Sequence, residues 1–265
     1  MPTATLNGID LYYEVSGSGP RLLFLNGSGA TLATTGALVA PLAATFEVAA
    51  FDQRGLGRSA LPADPYSVAD LASDALALVD HLGWKQFRLV GLSFGGMVAQ
   101  ELAVTTPERV DRLALLCTSS GGAGGSSYAL GTLADMDPTE RVAVSATVLD
   151  TRFTPRWLDE HEGDRALAGV LAQSQAVEKS ESVRRGEALQ YRARGAHDVY
   201  ERLPLVTCPT LVASGTYDGV APPANGAAIA AQIPGAQLRL FDGGHLFIVQ
   251  DPTAFPEIIG FLQGG

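Results

Sequence analysis

The sequence predicts an α/β fold, a mostly parallel central sheet flanked by helices, and three observations carry that expectation. Six short apolar runs, at 21–25, 47–51, 87–91, 112–117, 210–213 and 237–241, are rich in Leu, Val and Phe and do not alternate with polar residues. That is the pattern of strands covered on both faces. Helical patterns stand between several of them. The chain also has 265 residues, 46% of them hydrophobic and 17% charged, enough for one large domain and too apolar for general disorder.

The opening reads as a hairpin. Residues 3–6 and 9–13 flank Asn7-Gly8, a pair suited to the positive φ angles of a tight type I′ turn. Among the helices, one starts at Ser67 with Asp70 three residues on, a capping-box pattern with Asp where Glu or Gln is usual. Val68, Leu71, Leu78, Val79 and Leu82 keep its apolar stripe until Gly83. A second helix follows residue 93, and a last one carries Phe255, Ile258, Ile259 and Leu262.

Between residues 120 and 204 the strand signal disappears. After Gly121-Gly122-Ala123-Gly124-Gly125 the segment reads as several helices. The expected organisation is a core of 1–119 and 205–265 with a helical cap inserted at 120–204. An all-helical insertion between two parallel strands makes a natural lid over the C-terminal sheet edge, where open α/β sheets place ligands.

Composition excludes several functions. Eighteen basic against 28 acidic residues leave a net charge of −10, which repels phosphate backbones and anionic lipid; neither nucleic acid nor membrane is an expected partner. Cys117 and Cys208 are isolated, so a disulfide framework or thiolate metal site is not expected, and each reads as a small apolar residue in or beside a strand. No basic stretch with an apolar run opens the chain, and its long uncharged stretches are broken by Gly, Ser, Thr and Asn; a cytoplasmic protein is expected. No HExxH or paired-His spacing occurs, so no metal or other cofactor is expected. Gly55-Leu56-Gly57-Arg58-Ser59-Ala60 fits a loose nucleotide fingerprint, but Leu61-Pro62-Ala63-Asp64-Pro65 follows where the helix would have to start.

The strongest chemical signal is Gly91-Leu92-Ser93-Phe94-Gly95, G-x-S-x-G placed directly after a strand and opening a helix. A sharp strand-to-helix turn crowds the neighbours of its central residue, so small side chains are needed there, and it lifts the Ser93 hydroxyl above the sheet at a helix N-terminus. A serine needs a base. Of four histidines, His245 follows a strand within a Gly-rich loop; His81 ends a helix, and His161 and His197 read as solvated residues of the insertion. The base needs an orienting carboxylate. Asp218 follows the 210–213 strand at its C-terminal end, whereas Asp242, close to His245 in sequence, reads as a turn residue. Ser93, Asp218 and His245 are the candidate nucleophile, acid and base.

These residues, in that chain order, resemble the α/β-hydrolase superfamily over nearly the whole chain apart from the insertion. The loop from Asp52-Gln53-Arg54-Gly55 to Leu56-Gly57-Arg58-Ser59, Pro107-Glu108-Arg109-Val110, Pro222-Pro223 and Gly244-His245 add to the likeness. Within it, Leu92-Ser93-Phe94-Gly95-Gly96-Met97 and Ile233-Pro234-Gly235-Ala236 are similar to the esterase, 3-oxoadipate enol-lactonase and cofactor-free haloperoxidase group. The resemblance implies an oxyanion hole made by the backbone N–H groups of Phe94 and Ser28. Asn26-Gly27 stands where most of the group has His-Gly, and Gly29 where the perhydrolases have Pro; Asn26 is expected to hydrogen-bond the loop. Serine at the elbow argues against the dehalogenase and epoxide hydrolase branches, which use Asp.

The expected function is metal-free hydrolysis of a small carboxylic ester or lactone. Perhydrolysis or carbon–carbon hydrolysis on the same triad, and a non-catalytic small-ligand receptor, are the alternatives. Asn26, Phe153 and Trp157 are candidate substrate contacts. Arg152 and Arg156 read as solvated and Arg54 and Arg58 as loop braces, and the sequence leaves a homo-oligomer open.

Overall fold

The computed structural model describes residues 2–264, apart from the side chains of residues 134, 135, 138 and 174–176; the terminal residues 1 and 265 of the expected core lie outside it. Strand β1 (Thr3–Leu6) pairs antiparallel with β2 (Ile9–Ser16). The turn between them has Asn7 at φ 49° and Gly8 at φ 76°, the two left-handed residues that a type I′ turn requires. The parallel strands are β3 (Arg21–Leu25), β4 (Glu47–Phe51), β5 (Phe87–Leu92), β6 (Val110–Leu116), β7 (Thr210–Gly215) and β8 (Gln237–Phe241). One eight-stranded sheet results, in the order β1-β2-β4-β3-β5-β6-β7-β8, with only β1–β2 and β2–β4 antiparallel.

Successive residues of each strand feed opposite faces, as the pleat dictates. Leu23, Leu25, Leu89, Leu113 and Leu115 pack with α2 (Val68–His81), α3 (Phe94–Thr105) and Ile229 of α8 (Pro223–Gln232). Leu22, Phe24, Val48, Val90 and Leu116 pack on the other face with Leu42 of α1 (Leu32–Ala43), with α9 (Phe247–Gln250) and with α10 (Ala254–Gln263). The α2 start is as expected: the Ser67 hydroxyl accepts from the Asp70 N–H, and the Asp70 carboxylate accepts from the Ser67 N–H. The sequence pattern does not single out α1, which carries no charged residue and contains Pro41.

Between β6 and β7 stand α4 (Pro138–Leu149), α5 (Pro155–Glu160), α6 (Glu162–Ala176) and α7 (Glu181–Gly195), with short 3-10 turns at Gly122–Gly124, Leu130–Asp135 and Tyr200–Leu205. Among the described residues this segment holds no strand, and no helix is long and apolar enough to cross a membrane.

Two expectations about single residues are corrected here. His197 is not solvated but 9% exposed. Arg152 is not on a solvated face: it grips Asp150 through Nε and Nη2, pairs with Asp242 through Nη1, and lies over the Tyr217 ring. Arg152 thus ties the insertion to the loops after β7 and β8, a contact that periodicity does not reveal. Arg156, 88% exposed beside Glu160, is solvated as expected. Arg54 binds Asp74 through two 2.6 Å hydrogen bonds, and Arg58 stacks over Tyr12.

Candidate active site

The strand order reverses around β3: β4 follows on one side and β5 lies on the other. The loops leaving β3 and β5 therefore diverge at a switch point, the position where open α/β sheets leave a crevice. The β3 loop carries Asn26 to Thr31; the β5 loop is Ser93 itself.

Ser93 sits at φ 54°, ψ −114°, a conformation costly for a residue with a Cβ and kept only where its surroundings enforce it. They do so here. The Ser93 N–H donates to the Leu116 carbonyl (2.8 Å), and its own carbonyl accepts from the Thr118 hydroxyl (2.7 Å) and the Gly96 N–H (2.9 Å). The flanking glycines are required by space: a Cβ on Gly91 would lie 2.5 Å from the Gly95 carbonyl oxygen, and one on Gly95 2.1 Å from that of Leu25.

Asp218 and His245 reach Ser93 from the loops after β7 and β8. These loops interlock, because the Tyr217 N–H donates to Gly243 O and the Thr216 N–H to Phe241 O. A Cβ on Gly215 would lie 2.0 Å from the Gly244 oxygen. Asp218 Oδ1 accepts from the N–H groups of Val220 and Ala221, each at 2.8 Å, leaving Oδ2 for His245 Nδ1 at 2.8 Å. His245 Nε2 lies 2.9 Å from Ser93 Oγ. A carboxylate only accepts, so Nδ1 carries the proton and Nε2 is free to accept from the serine hydroxyl. Burial opposes the charged ring, whereas the Cys117 sulfur and the Asp218 carboxylate favour it, and the balance raises the His245 pKa above its ordinary value.

Cys117 is a neighbour that its place in the sequence does not show. It lies just past β6 at φ 44°, and its sulfur, an Asp218 oxygen and a His245 nitrogen fall within 4.8 Å of one another. Such donors suit a soft divalent ion, but both His245 nitrogens already face partners of their own, Asp218 and Ser93.

The Phe94 N–H is the first of α3, with no helical carbonyl to receive it. Opposite lies the β3 loop: a Cβ on Gly27 would meet the Ser93 Cβ at 3.5 Å. The side chain of Asn26 does not tie this loop, contrary to expectation; both its amide atoms are buried without a partner among the described residues. Two glutamines do so instead. Gln190 of α7 accepts from the Gly29 N–H (2.7 Å) and donates to Gln53 Oε1 (2.7 Å), and Gln53 donates to the Asn26 carbonyl (3.0 Å). Both glutamines are buried. Sequence reading missed them because an isolated Gln in a helix or loop carries no motif.

Of the remaining candidates, Phe153 is buried in the wall of a cavity of about 380 Å³ among α4, α5 and α6. Trp157 stacks on His161 with ring centroids 3.6 Å apart and donates to Asp164. Asp242 is an exposed turn residue paired with Arg152.

Residues 20–252 match the family model described as alpha/beta hydrolase fold, and the chain belongs to that family. It is 30% identical to 3-oxoadipate enol-lactonase 2 of Acinetobacter baylyi over 97% of this chain and 94% of that protein. It is also 30% identical to a poly(3-hydroxyalkanoate) depolymerase of Ectopseudomonas oleovorans, over 91% and 84% of the two chains. Among solved structures, the enol-lactonase from Burkholderia xenovorans superposes over the whole of both chains with a TM-score of 0.82 at 26% identity.

Proposed function

We propose that this chain is a serine hydrolase that cleaves a small carboxylic ester or lactone through an acyl-enzyme. The observation that carries the reading is the relay from Ser93 Oγ through His245 to Asp218, buried at the switch point of the sheet. In it, His245 Nε2 takes the hydroxyl proton as Ser93 Oγ attacks the carbonyl carbon, and Asp218 stabilises the imidazolium that forms. The Phe94 and Ser28 N–H groups receive the developing oxyanion, a role in which one donor is worth a hundredfold or more in rate. His245 returns the proton to the leaving alkoxide; in a lactone that group stays tethered to the acyl chain. Water, deprotonated by His245, then releases the acid.

The relatives support the bond type, since two carry names for lactone and polyester cleavage. The helical segment 120–204 is a cap on this reading, with Leu149 O of α4 accepting from the His245 N–H at 2.6 Å.

The test is hydrolysis of p-nitrophenyl esters of increasing acyl length and of simple lactones by the wild type and Ser93→Ala. The variant should lose activity by about 10³-fold or more, with the secondary structure unchanged by circular dichroism. Equal rates in the two proteins would remove Ser93 from the reaction.

A further inference from the structure

Cys117 is a buried thiol beside the relay to which the serine mechanism gives no role. The fold holds it there in a costly conformation. Among the described residues, three other than glycine have positive φ angles: Asn7 in the β1–β2 turn, Ser93 at the elbow, and Cys117 at 44°. A residue with a Cβ keeps such a φ only where its surroundings enforce it. Here the bonds stand on both sides of it. The Leu116 carbonyl accepts from the Ser93 N–H, the Cys117 N–H donates to the Ala213 carbonyl at 2.8 Å, and the Thr118 hydroxyl donates to the Ser93 carbonyl.

This bend brings three donors from three loops together. Cys117 Sγ, an Asp218 oxygen and a His245 nitrogen, from the loops after β6, β7 and β8, lie within 4.8 Å of one another. Among the described residues no other set of three His, Cys, Asp or Glu side chains meets in this way. Cys208, the second cysteine, faces the Thr210 hydroxyl at 4.0 Å instead. Thiolate, imidazole and carboxylate are the donors that zinc takes, and at its usual bond lengths a tetrahedral ion holds them about 3.3–3.6 Å apart. His245 Nδ1 and Asp218 Oδ2 stand 2.8 Å apart and the sulfur is within 4.8 Å, so shifts of about 1 Å seat the ion. Magnesium and calcium ask for oxygen ligands and do not suit a set of one sulfur, one nitrogen and one oxygen.

Two of the donors are also anchored from behind, as metal ligands characteristically are. Asp218 Oδ1 accepts from the N–H groups of Val220 and Ala221, and the Leu149 carbonyl accepts from the His245 N–H.

We propose that Cys117, Asp218 and His245 form a site for a single zinc ion, and that filling it switches the hydrolase off. The thiolate is the ligand, so the thiol proton leaves to solvent as the Zn–S bond forms. At His245 the ion enters at the expense of one of the two hydrogen bonds of the ring. On Nε2 it takes the lone pair that accepts from Ser93. On Nδ1 it displaces the proton, which moves to Nε2 and turns that atom into a donor. Ser93 loses its base in both cases, so the ion and turnover exclude one another. The inhibition, unlike the binding, rests on the serine mechanism above.

Cadmium takes the same donors and reports thiolate ligation through a charge-transfer band in the ultraviolet. Titrated into the wild type, it should raise that band to saturation at one ion per chain. The band should be absent from Cys117→Ser, which keeps the size of the side chain, and from Cys117→Gly, which accepts positive φ without strain. It should persist in Cys208→Ser, and Asp218→Asn should weaken binding at least about tenfold. Circular dichroism checks that each variant is folded. No band in the wild type, or a band that survives loss of Cys117, would overturn the site.

Zinc should then inhibit ester hydrolysis by the wild type, reversibly on addition of EDTA. Half-inhibition of Cys117→Ser should need at least about tenfold more zinc. Equal sensitivity of the two proteins, or full turnover by a chain saturated with cadmium, would overturn the switch. The band does not use the reaction. Hydrolysis that is indifferent to Ser93→Ala therefore sinks the serine mechanism and leaves the band to judge the site, whereas a missing band beside Ser93-dependent hydrolysis sinks the site alone.

Discussion

Asp218 offers its two carboxylate oxygens to different partners: Oδ1 to two backbone N–H groups at 2.8 Å, Oδ2 to His245. One oxygen anchors the side chain while the other fixes the tautomer of His245. On the proposed mechanism His245 works as a base only when neutral, so its raised pKa should place the acidic limb of the kcat/KM profile above the ordinary histidine range. Asp218→Asn removes a charge that favours the imidazolium. The limb should therefore move to lower pH, while kcat falls by about 10⁴-fold because an amide also accommodates the wrong tautomer. A pH–rate series on both proteins checks the direction; a limb that stays in place would mean that another group controls it. Ser93, Asp218 and His245 were legible because each stands at the C-terminal end of an apolar run. Cys117 was not, since a lone Cys after a strand looks the same whether or not a loop from 128 residues later folds against it.

The elbow between β5 and α3 illustrates how an element depends on atoms that are absent. Gly91 and Gly95 do not take up positive φ angles; they are needed because the turn presses strand, helix and the β3 loop together. In Gly95→Ala the new Cβ would lie 2.1 Å from a backbone oxygen of Leu25, which no rotamer can relieve. The cost should be about 3 kcal/mol, visible as an early urea midpoint with unchanged slope, and activity should fall with it because the β3 loop must shift. Gly36→Ala, in α1 with nothing within 4 Å of its new Cβ, is the control and should be neutral or slightly stabilising. The motif made these glycines conspicuous, and their spacing states the reason. The thin amphipathic signal of α1, by contrast, left a helix unrecognised.

At the scale of the molecule, the segment between β6 and β7 is joined to the loops after β8 and β3 at two points. The Leu149 carbonyl receives the His245 N–H, and Gln190 receives the Gly29 N–H. The second link continues through Gln53 to the Asn26 carbonyl, so a helix of the insertion holds the backbone that on the proposed mechanism presents the Ser28 N–H. Gln190→Leu keeps the volume and removes both bonds, leaving buried groups unmatched at about 1–3 kcal/mol each. We expect kcat to fall about tenfold, less than for a lost oxyanion donor, with KM within twofold of the parent. A rise in KM at constant kcat would show instead that Gln190 serves binding alone.

What the sequence determined by itself is local: strand periodicity, the Asn7-Gly8 turn, the Ser67 cap, and Ser93, Asp218 and His245 each in a loop just past a strand. These follow from residue type and short spacing, which the chain carries wherever it folds. The tertiary structure alone decided what crosses long separations. It set Gln190 rather than Asn26 on the β3 loop, Arg152 on Asp242, and Cys117 beside His245. An isolated Gln or Arg acquires its partner only when distant segments pack, and no periodicity records which one it will meet.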